Sequence, residues 1–410
     1  MFNHDVVVAG GGPAGLHTAK CIAEKGFNVV VLEEHYEIGK PLQCAGLVTP
    51  RVFDIVGNRP KRAILNELRG AHIYSPNGTL VNVDGKNTRA VVVDRSIFDS
   101  ELAKIAIRAG VKIRLGAKVI DVKNSKNPSE GVKITVSPKG LTNGGLEKIN
   151  AKLLILATGS QSRLPRALGI PSPKEILSGF EIEFANMTDL TPNFVELFSG
   201  SKVANDFFAW IIPLSSKDNA LVGLCVSNSE TNAYEKVMNL KDYPFAKRFL
   251  KKAKPIRYIA GTIPIGLLSK TYANNLLVVG DAACQVKPLT GGGVYTGLKS
   301  AVQCAHVASL AIESNDFSEQ FLSRYQLAWL NEIGKELKRG LKLRELYVRL
   351  TDEEMDEILN IVNDPALLEL ISKYGDIDYP SKVSMVMFKK VPKLLKFAPK
   401  ILGSLMFARA

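Results

Sequence analysis

Three short stretches hold residues whose types and spacing can do chemistry. In KPLQCAGL, residues 40 to 47, Cys44 stands in a loop-like stretch between Pro41 and Gly46. A thiol of ordinary acidity, pKa about 8.5, is uncharged at neutral pH, so it can lie against hydrocarbon and still offer a weak acid. In GGGPAG, Gly10, Gly12 and Gly15 fit the pattern G-x-G-x-x-G. The first glycine permits a tight turn, the second lets backbone approach a pyrophosphate, and the third lets a helix pack close on a strand. In GDAACQVKPLTGGG, Asp281 comes first and Gly291, Gly292 and Gly293 come last, just before Val294. A carboxylate at the end of a strand can hydrogen-bond a polyhydroxyl chain, and a helix opened by glycines aims its positive end at an anionic ring.

The elements that must position these groups are legible around them. DVVVAGGGPAGLHTAKCIAEKGFNVVVLEE predicts a strand at Val6 to Ala9, a glycine turn, a helix ending near Gly26 and a second strand at Val29 to Leu32. That is a βαβ unit whose helix N-terminus is placed to receive a pyrophosphate. Glu33 ends the second strand, 18 residues after Gly15, where it can accept hydrogen bonds from an adenosine ribose. Glu34 beside it is the alternative ligand. A carboxylate there disfavours a 2′-phosphate, so FAD or NAD is expected over NADP. NNLLVVGDAA predicts a strand at Leu276 to Val279, and the glycine run after it opens a long helix. Because Asp281 suits a ribityl chain, FAD is the expected cofactor. Arg95 opens another helix in VVVDRSIFDSELAKIAIRAG, and LLILATGS ends a strand on Thr158 and Gly159, small residues that let backbone pass a cofactor closely.

GGGPAG, Glu33, Arg95, ATG and GDAA, spread over residues 1 to about 310, resemble the FAD-dependent oxidoreductases that include the aromatic hydroxylases. Within them, P-x-x-C-x-G at Pro41 to Gly46 and the aromatic stretch Phe208-Ala209-Trp210-Ile211-Ile212-Pro213 resemble the geranylgeranyl reductases. That family often has Tyr-x-Trp-x-Phe-Pro, where this chain has Phe208 and Ile212, and several archaeal members carry a glutamate between the cysteine and the glycine. The resemblance implies a Rossmann-type FAD-binding α/β domain with an interleaved antiparallel substrate sheet and a helical C-terminal region. The expected domains are 1–60, 90–165 and 270–310 for FAD, 61–89 and 166–269 for substrate, and 311–410 as the helical part.

The resemblance also implies site residues. For FAD these are Gly10, Gly12, Ala14, Gly15, Glu33, Cys44, Ala45, Gly46, Arg95, Val119, Gly159, Asp281, Gly292, Gly293 and Val294. Cys44 is the candidate catalytic residue, against the isoalloxazine on the substrate side, and Phe208, Trp210 and Pro213 would wall a substrate tunnel. The implied activity is saturation of geranylgeranyl chains of archaeal ether phospholipids, with reduced ferredoxin or NAD(P)H as electron donor. A flavin-dependent aromatic hydroxylase and a non-catalytic flavin- or lipid-binding protein on the membrane are the alternatives.

Composition bounds the rest. With 46% apolar and 23% charged residues over 410 positions, this is a folded chain of more than one core. Five widely spaced cysteines without a C-x-x-C pair argue against a disulfide framework and a zinc site, so no metal is expected and a cytoplasmic setting is. The N-terminus lacks the pattern of a secretory signal. The net charge of +13 is concentrated at the end, where Pro380 to Ala410 holds seven basic residues and no acidic one. Interleaved with Met385, Phe388, Leu394, Phe397 and Leu405, these suit the anionic inner face of a membrane rather than nucleic acid. A tail docked on the body with solvated lysines is the competing expectation, and Pro392 and Pro399 should break it either way.

Overall fold

A computed structural model describes residues 2–138, 145–204, 206–214, 218–227, 232–397 and residue 400. The βαβ unit forms as its sequence predicts, with strand His4–Ala9, helix Pro13–Ala23 and strand Val29–Leu32. Val6, Val7 and Val8 are fully buried because the strand is covered on both faces, as expected for a continuous β-branched run in a parallel sheet. The strand pairs in parallel with Val29–Leu32 on one side and Glu147–Leu156 on the other. Lys112–Arg114 and Leu276–Val278 extend the parallel sheet at its two ends, and Tyr272–Ala273 closes one edge in antiparallel. Helices Pro13–Ala23, Arg95–Arg108 and Val294–Ser314 cover one face in a shared core. The hairpin of Ala117–Asn124 and Val132–Pro138 covers the other.

A seven-stranded sheet faces this unit. Its order is Lys254–Ile265, Glu175–Ala185, Ala220–Val226, Ala209–Pro213, Phe194–Phe198, Gly70–Tyr74 and Leu80–Asp84. The sheet was expected to be antiparallel, and one pairing differs: Phe194–Phe198 runs parallel to Gly70–Tyr74. These two strands come from segments more than 100 residues apart, so no hairpin turn constrains their sense. A third sheet joins Leu47–Val48, Ala90–Val93 and Ile64–Leu68. The far face of the seven-stranded sheet is packed by Ile182, Phe198, Val222 and Phe249, which leaves its other face toward the cofactor unit.

The C-terminal part is helical, from Glu319–Trp329 through Pro380–Lys390. Pro392 ends that last α-helix, and a 3-10 turn, Pro392–Phe397, follows. Met387, Val391, Leu394 and Phe397 are buried on this region's own small core with Leu346, so the described part of the basic tail is docked. Lys396 pairs with Glu357 and Lys400 with Glu354. Pro399, Leu405, Arg409 and the rest of 401–410 lie outside the described residues. Among the described residues no helix is long and apolar enough to cross a membrane.

Candidate functional site

The two large sheets enclose a cavity of about 1670 Å³. Ordinary small-molecule sites run to about 1,000 Å³, so this one has room for a dinucleotide and a second large ligand. The glycines Gly10, Gly12 and Gly15, with Ala14, form one end. Gly10 has φ +110°, and a Cβ there would stand 2.2 Å from the Ala157 oxygen. Gly12 is the N-cap of helix Pro13–Ala23, no side chain caps the helix, and an added Cβ at Gly12 would meet open space. Free N–H groups therefore face an opening of the right kind for a pyrophosphate.

Glu33 lines the same end. Its Oε2 accepts from the Gly11 N–H at 2.7 Å, and its Oε1 accepts from the His35 N–H at 2.9 Å. Glu34 lines the cavity too and pairs with Lys118 at 2.7 Å. The glycine turn is thus braced by Glu33, a use of the carboxylate beyond the expected ribose contact. Val119, Gly159, Gly292, Gly293 and Val294 continue the wall. Asp281 lies beside the start of helix Val294–Ser314, its Oδ1 2.8 Å from where a Gly293 Cβ would be. Burial pushes its carboxyl up, and the nearby Arg95 pulls the other way. Thr158 and Thr290 line this cavity with buried hydroxyl oxygens that lack partners. Uncapped helix starts, partnerless hydroxyls and an open approach to the backbone at Gly12 fit FAD.

The Cys44 loop, entered through a cis Lys40–Pro41 peptide, lies where this end meets the seven-stranded sheet. A Cβ on Gly261 would stand 2.6 Å from the Gln43 oxygen, so the loop presses onto the sheet only because that position is glycine. Cys44 and Ala45 line the cavity; Gly46 does not. Gly46 instead anchors the loop from behind: its oxygen accepts from the Val93 N–H at 2.9 Å and its N–H donates to Cys44 Sγ at 3.4 Å. The resemblance implies a place for Cys44 against the isoalloxazine on the substrate side, and the structure puts a cation, Arg95, in the same wall. Arg95, held by two 2.8 Å hydrogen bonds to Asp99, lines the same cavity beside Cys44. Burial opposes the guanidinium charge, but the Asp99 carboxylate outweighs it and holds its pKa above the usual arginine range.

Beyond Cys44 the walls become apolar: Leu42, Leu47, Leu68, Leu197, Ile212 and Ile263 line them. Phe207 and Phe208 stack at 4.4 Å, and Phe208 meets Trp210 edge-on at 6.1 Å. Pro213 is not in this wall; its carbonyl accepts from Asn66 at 2.8 Å at the end of its strand.

One row across four strands was not anticipated. Ile259, Glu181, Gly223 and Trp210 stand side by side on the face toward the cavity. Gly223 leaves the space that the indole fills, since a Cβ there would be 2.7 Å from Trp210 Cζ2. Trp210 Nε1 thereby reaches over Gly223 and donates to Glu181 Oε2 at 2.7 Å. Glu181 is 4% exposed, lines the cavity, and its Oε1 has no partner. Burial pushes its carboxyl up to about 7, against the Trp210 hydrogen bond and the charge of Arg257. The strand SGFEIEFA alternates apolar and acidic residues, a pattern that by itself suits an acidic side facing solvent and does not mark Glu181 as a cavity group.

The C-terminal segment closes the other end. Buried Lys287, from the loop before Gly291, donates to Asp378 at 2.9 Å and to the Ile377 oxygen at 3.0 Å. Asp378 also accepts from Thr49 at 2.5 Å and from Arg51 at 3.3 Å. Arg69, Arg89 and Lys373 line this outer part. Among the described residues no cluster of three or more His, Cys, Asp or Glu side chains is arranged to hold a metal ion.

The family described as FAD binding domain matches residues 3–326. A relative in Methanocaldococcus jannaschii, named digeranylgeranylglycerophospholipid reductase, is 34% identical over 97% of this chain and 98% of its own. An uncharacterized protein of the same organism is 36% identical over 95% of this chain and 96% of its own. A solved structure from Thermoplasma acidophilum, described as geranylgeranyl bacteriochlorophyll reductase-like, superposes with a TM-score of 0.85 at 24% identity, covering 97% of this chain and 99% of that one. With its glycine cradle, its FAD end and this full-length similarity, the chain belongs to the FAD binding domain family, alongside the archaeal digeranylgeranylglycerophospholipid reductases.

Proposed function

We propose that the protein saturates the C=C bonds of geranylgeranyl chains on ether phospholipids. The observation that carries this reading is the continuity of the FAD cradle with an apolar, aromatic-walled channel in one cavity. The names of the full-length relatives support the same substrate class. When bound and reduced, FAD supplies a hydride to one carbon of the alkene. The chain's own residues do the rest. Phe207, Phe208, Trp210 and Ile212 hold an isoprenoid and exclude water, which an unactivated alkene requires because orientation must replace electronic activation. Cys44 sits at the junction, its sulfur accepting from the Gly46 N–H. Arg69, Arg89 and Lys373 at the outer part suit the phosphate of the lipid.

On this reading residues 1–60, 90–165 and 270–310 hold FAD, 61–89 and 166–269 take the lipid chain, and 311–410 covers it. A ferredoxin-type protein or NAD(P)H reloads the electrons, and the positive charge of the chain holds it at the inner face of the membrane. Anaerobic incubation of dithionite-reduced protein with a digeranylgeranylglycerophospholipid, followed by mass spectrometry, tests the proposal. Products heavier by two hydrogens per bond are expected; unchanged lipid overturns it. Cys44→Ser should keep its FAD and lose most turnover, and full activity would remove Cys44 from the mechanism.

A further inference from the structure

Saturating a C=C bond adds two electrons and two hydrogen nuclei. A hydride brings both electrons and one nucleus, so a proton must come from an acid that reaches the chain. At Cys44, the Gly46 N–H donates to Sγ at 3.4 Å, which casts the sulfur as an acceptor. Glu181 has the opposite character. Its Oε2 is fixed by Trp210, while Oε1 is buried, without a partner, in the wall of the same cavity. A buried carboxyl oxygen with nothing to bond is costly to maintain, and a bare tryptophan N–H needs no ionisable partner to satisfy it.

We propose that Glu181 is the proton donor to the alkene, with Trp210 fixing its carboxyl and Gly223 leaving the space for the indole. This inference rests on the saturation reading above. In the step the O–H bond of Glu181 breaks, the π pair of the alkene forms a C–H bond with that proton, and the other carbon receives the hydride. The carboxylate left behind is reprotonated from water before the next turnover.

The surroundings agree with both states. Burial favours the neutral acid and brings its pKa to about 7, so a large fraction is protonated at neutral pH. Trp210, reaching across the Gly223 strand, and Arg257, on the adjoining strand, stabilise the anion once it forms. Glu183, on Glu181's own strand, opposes the anion but is itself paired with Arg257 at 2.7 Å. Cys225, on the strand paired with that of Glu181, is buried with a thiol pushed up to about 12, so it stays neutral.

The test uses the full chain with FAD and the variant Glu181→Gln, which keeps the size and an oxygen for Trp210. In anaerobic single turnovers with detergent-dispersed digeranylgeranylglycerophospholipid, wild-type saturation should decline as pH rises through about 7. Glu181→Gln should retain FAD, run about 100-fold slower, and lose that pH dependence. Trp210→Phe should move the midpoint upward, because the indole hydrogen bond lowers the Glu181 pKa. A readout without turnover comes from tryptophan fluorescence of the oxidised protein. Trp210 and Trp329 are its two tryptophans, and Trp329 is bonded to Thr271 in a different core. Emission should titrate near pH 7 in wild type and not in Glu181→Gln. Wild-type rate and pH profile in the variant, or no titration of the emission, would overturn the assignment. Lipid left unchanged by the wild type would overturn the saturation reading instead, and the fluorescence titration would still report whether Glu181 ionises.

Discussion

The two ends of the cavity are built in opposite ways. At the end proposed for the cofactor, backbone would do the recognising: Gly10, Gly12 and Gly15 belong to one turn, and their value is the absence of side chains. At the end proposed for the substrate, side chains would do the work, and Glu181, Gly223, Trp210 and Ile259 come from four strands spread over nearly 80 residues. FAD has a fixed polar tail that N–H groups can meet, whereas an isoprenoid offers only hydrocarbon and a reaction centre. A polar ligand can be met by a local loop; an apolar one needs a surface assembled from distant parts.

The largest effect should come from adding a methyl where backbone does the work. Gly10→Ala puts a Cβ 2.2 Å from the Ala157 oxygen at φ +110°, and FAD affinity should fall by more than roughly 100-fold, read by titrating apoprotein with FAD. Near-normal affinity would mean that the two ends do not differ as described.

Next in size are two proton effects of opposite sign, one from each end. His17, in the helix behind the glycine turn, is buried with its pKa lowered to about 4 from 6.5, mainly by burial. Between those values the unfolded chain holds a proton that the folded one lacks, so this group's contribution to stability grows as pH rises. Glu181, raised from 4.5 to about 7, holds a proton in the folded state that the unfolded chain has lost, so its contribution shrinks as pH rises. From about pH 4.5 to 6.5 the two slopes, about 1.4 kcal/mol per pH unit each, oppose each other. Relative to wild type, Glu181→Gln should gain stability with rising pH over that window and His17→Gln should lose it, measured by urea unfolding. Parallel curves would show that neither group is held in its neutral form.

The smallest effect should come from the same methyl addition at the substrate end. Gly223→Ala displaces the indole from Glu181, and turnover should fall about tenfold, the worth of one buried hydrogen bond, with FAD affinity unchanged. If FAD affinity fell as well, the two ends would be one mechanical unit.

What was legible follows the same division. The first strand, glycine turn, helix and second strand all form where the sequence places them, within a few residues. The helix opened by Arg95 and the strand before Asp281 do too. Each is specified by neighbours in the chain: a β-branched run, a glycine spacing, the Asp94 side chain capping the helix at Ser96 and Ile97. The parallel pairing of Phe194–Phe198 with Gly70–Tyr74, the Lys287–Asp378 contact and the Trp210–Glu181 hydrogen bond were not visible, because each joins residues 29 to 124 positions apart.

By itself, then, the chain determined the cofactor cradle, since steric permission for φ > 0 and for close backbone approach is a property of individual residues. It also determined the alternation of SGFEIEFA, but not which side of that strand would face inward. Packing decided that: once Ile182 and Phe184 are taken by the core on the far side, the acidic side has to meet the cofactor unit. Burial there raises the pKa of the Glu181 carboxyl from 4.5 to about 7, because the cost of a buried charge is set by everything around it rather than by its neighbours in sequence.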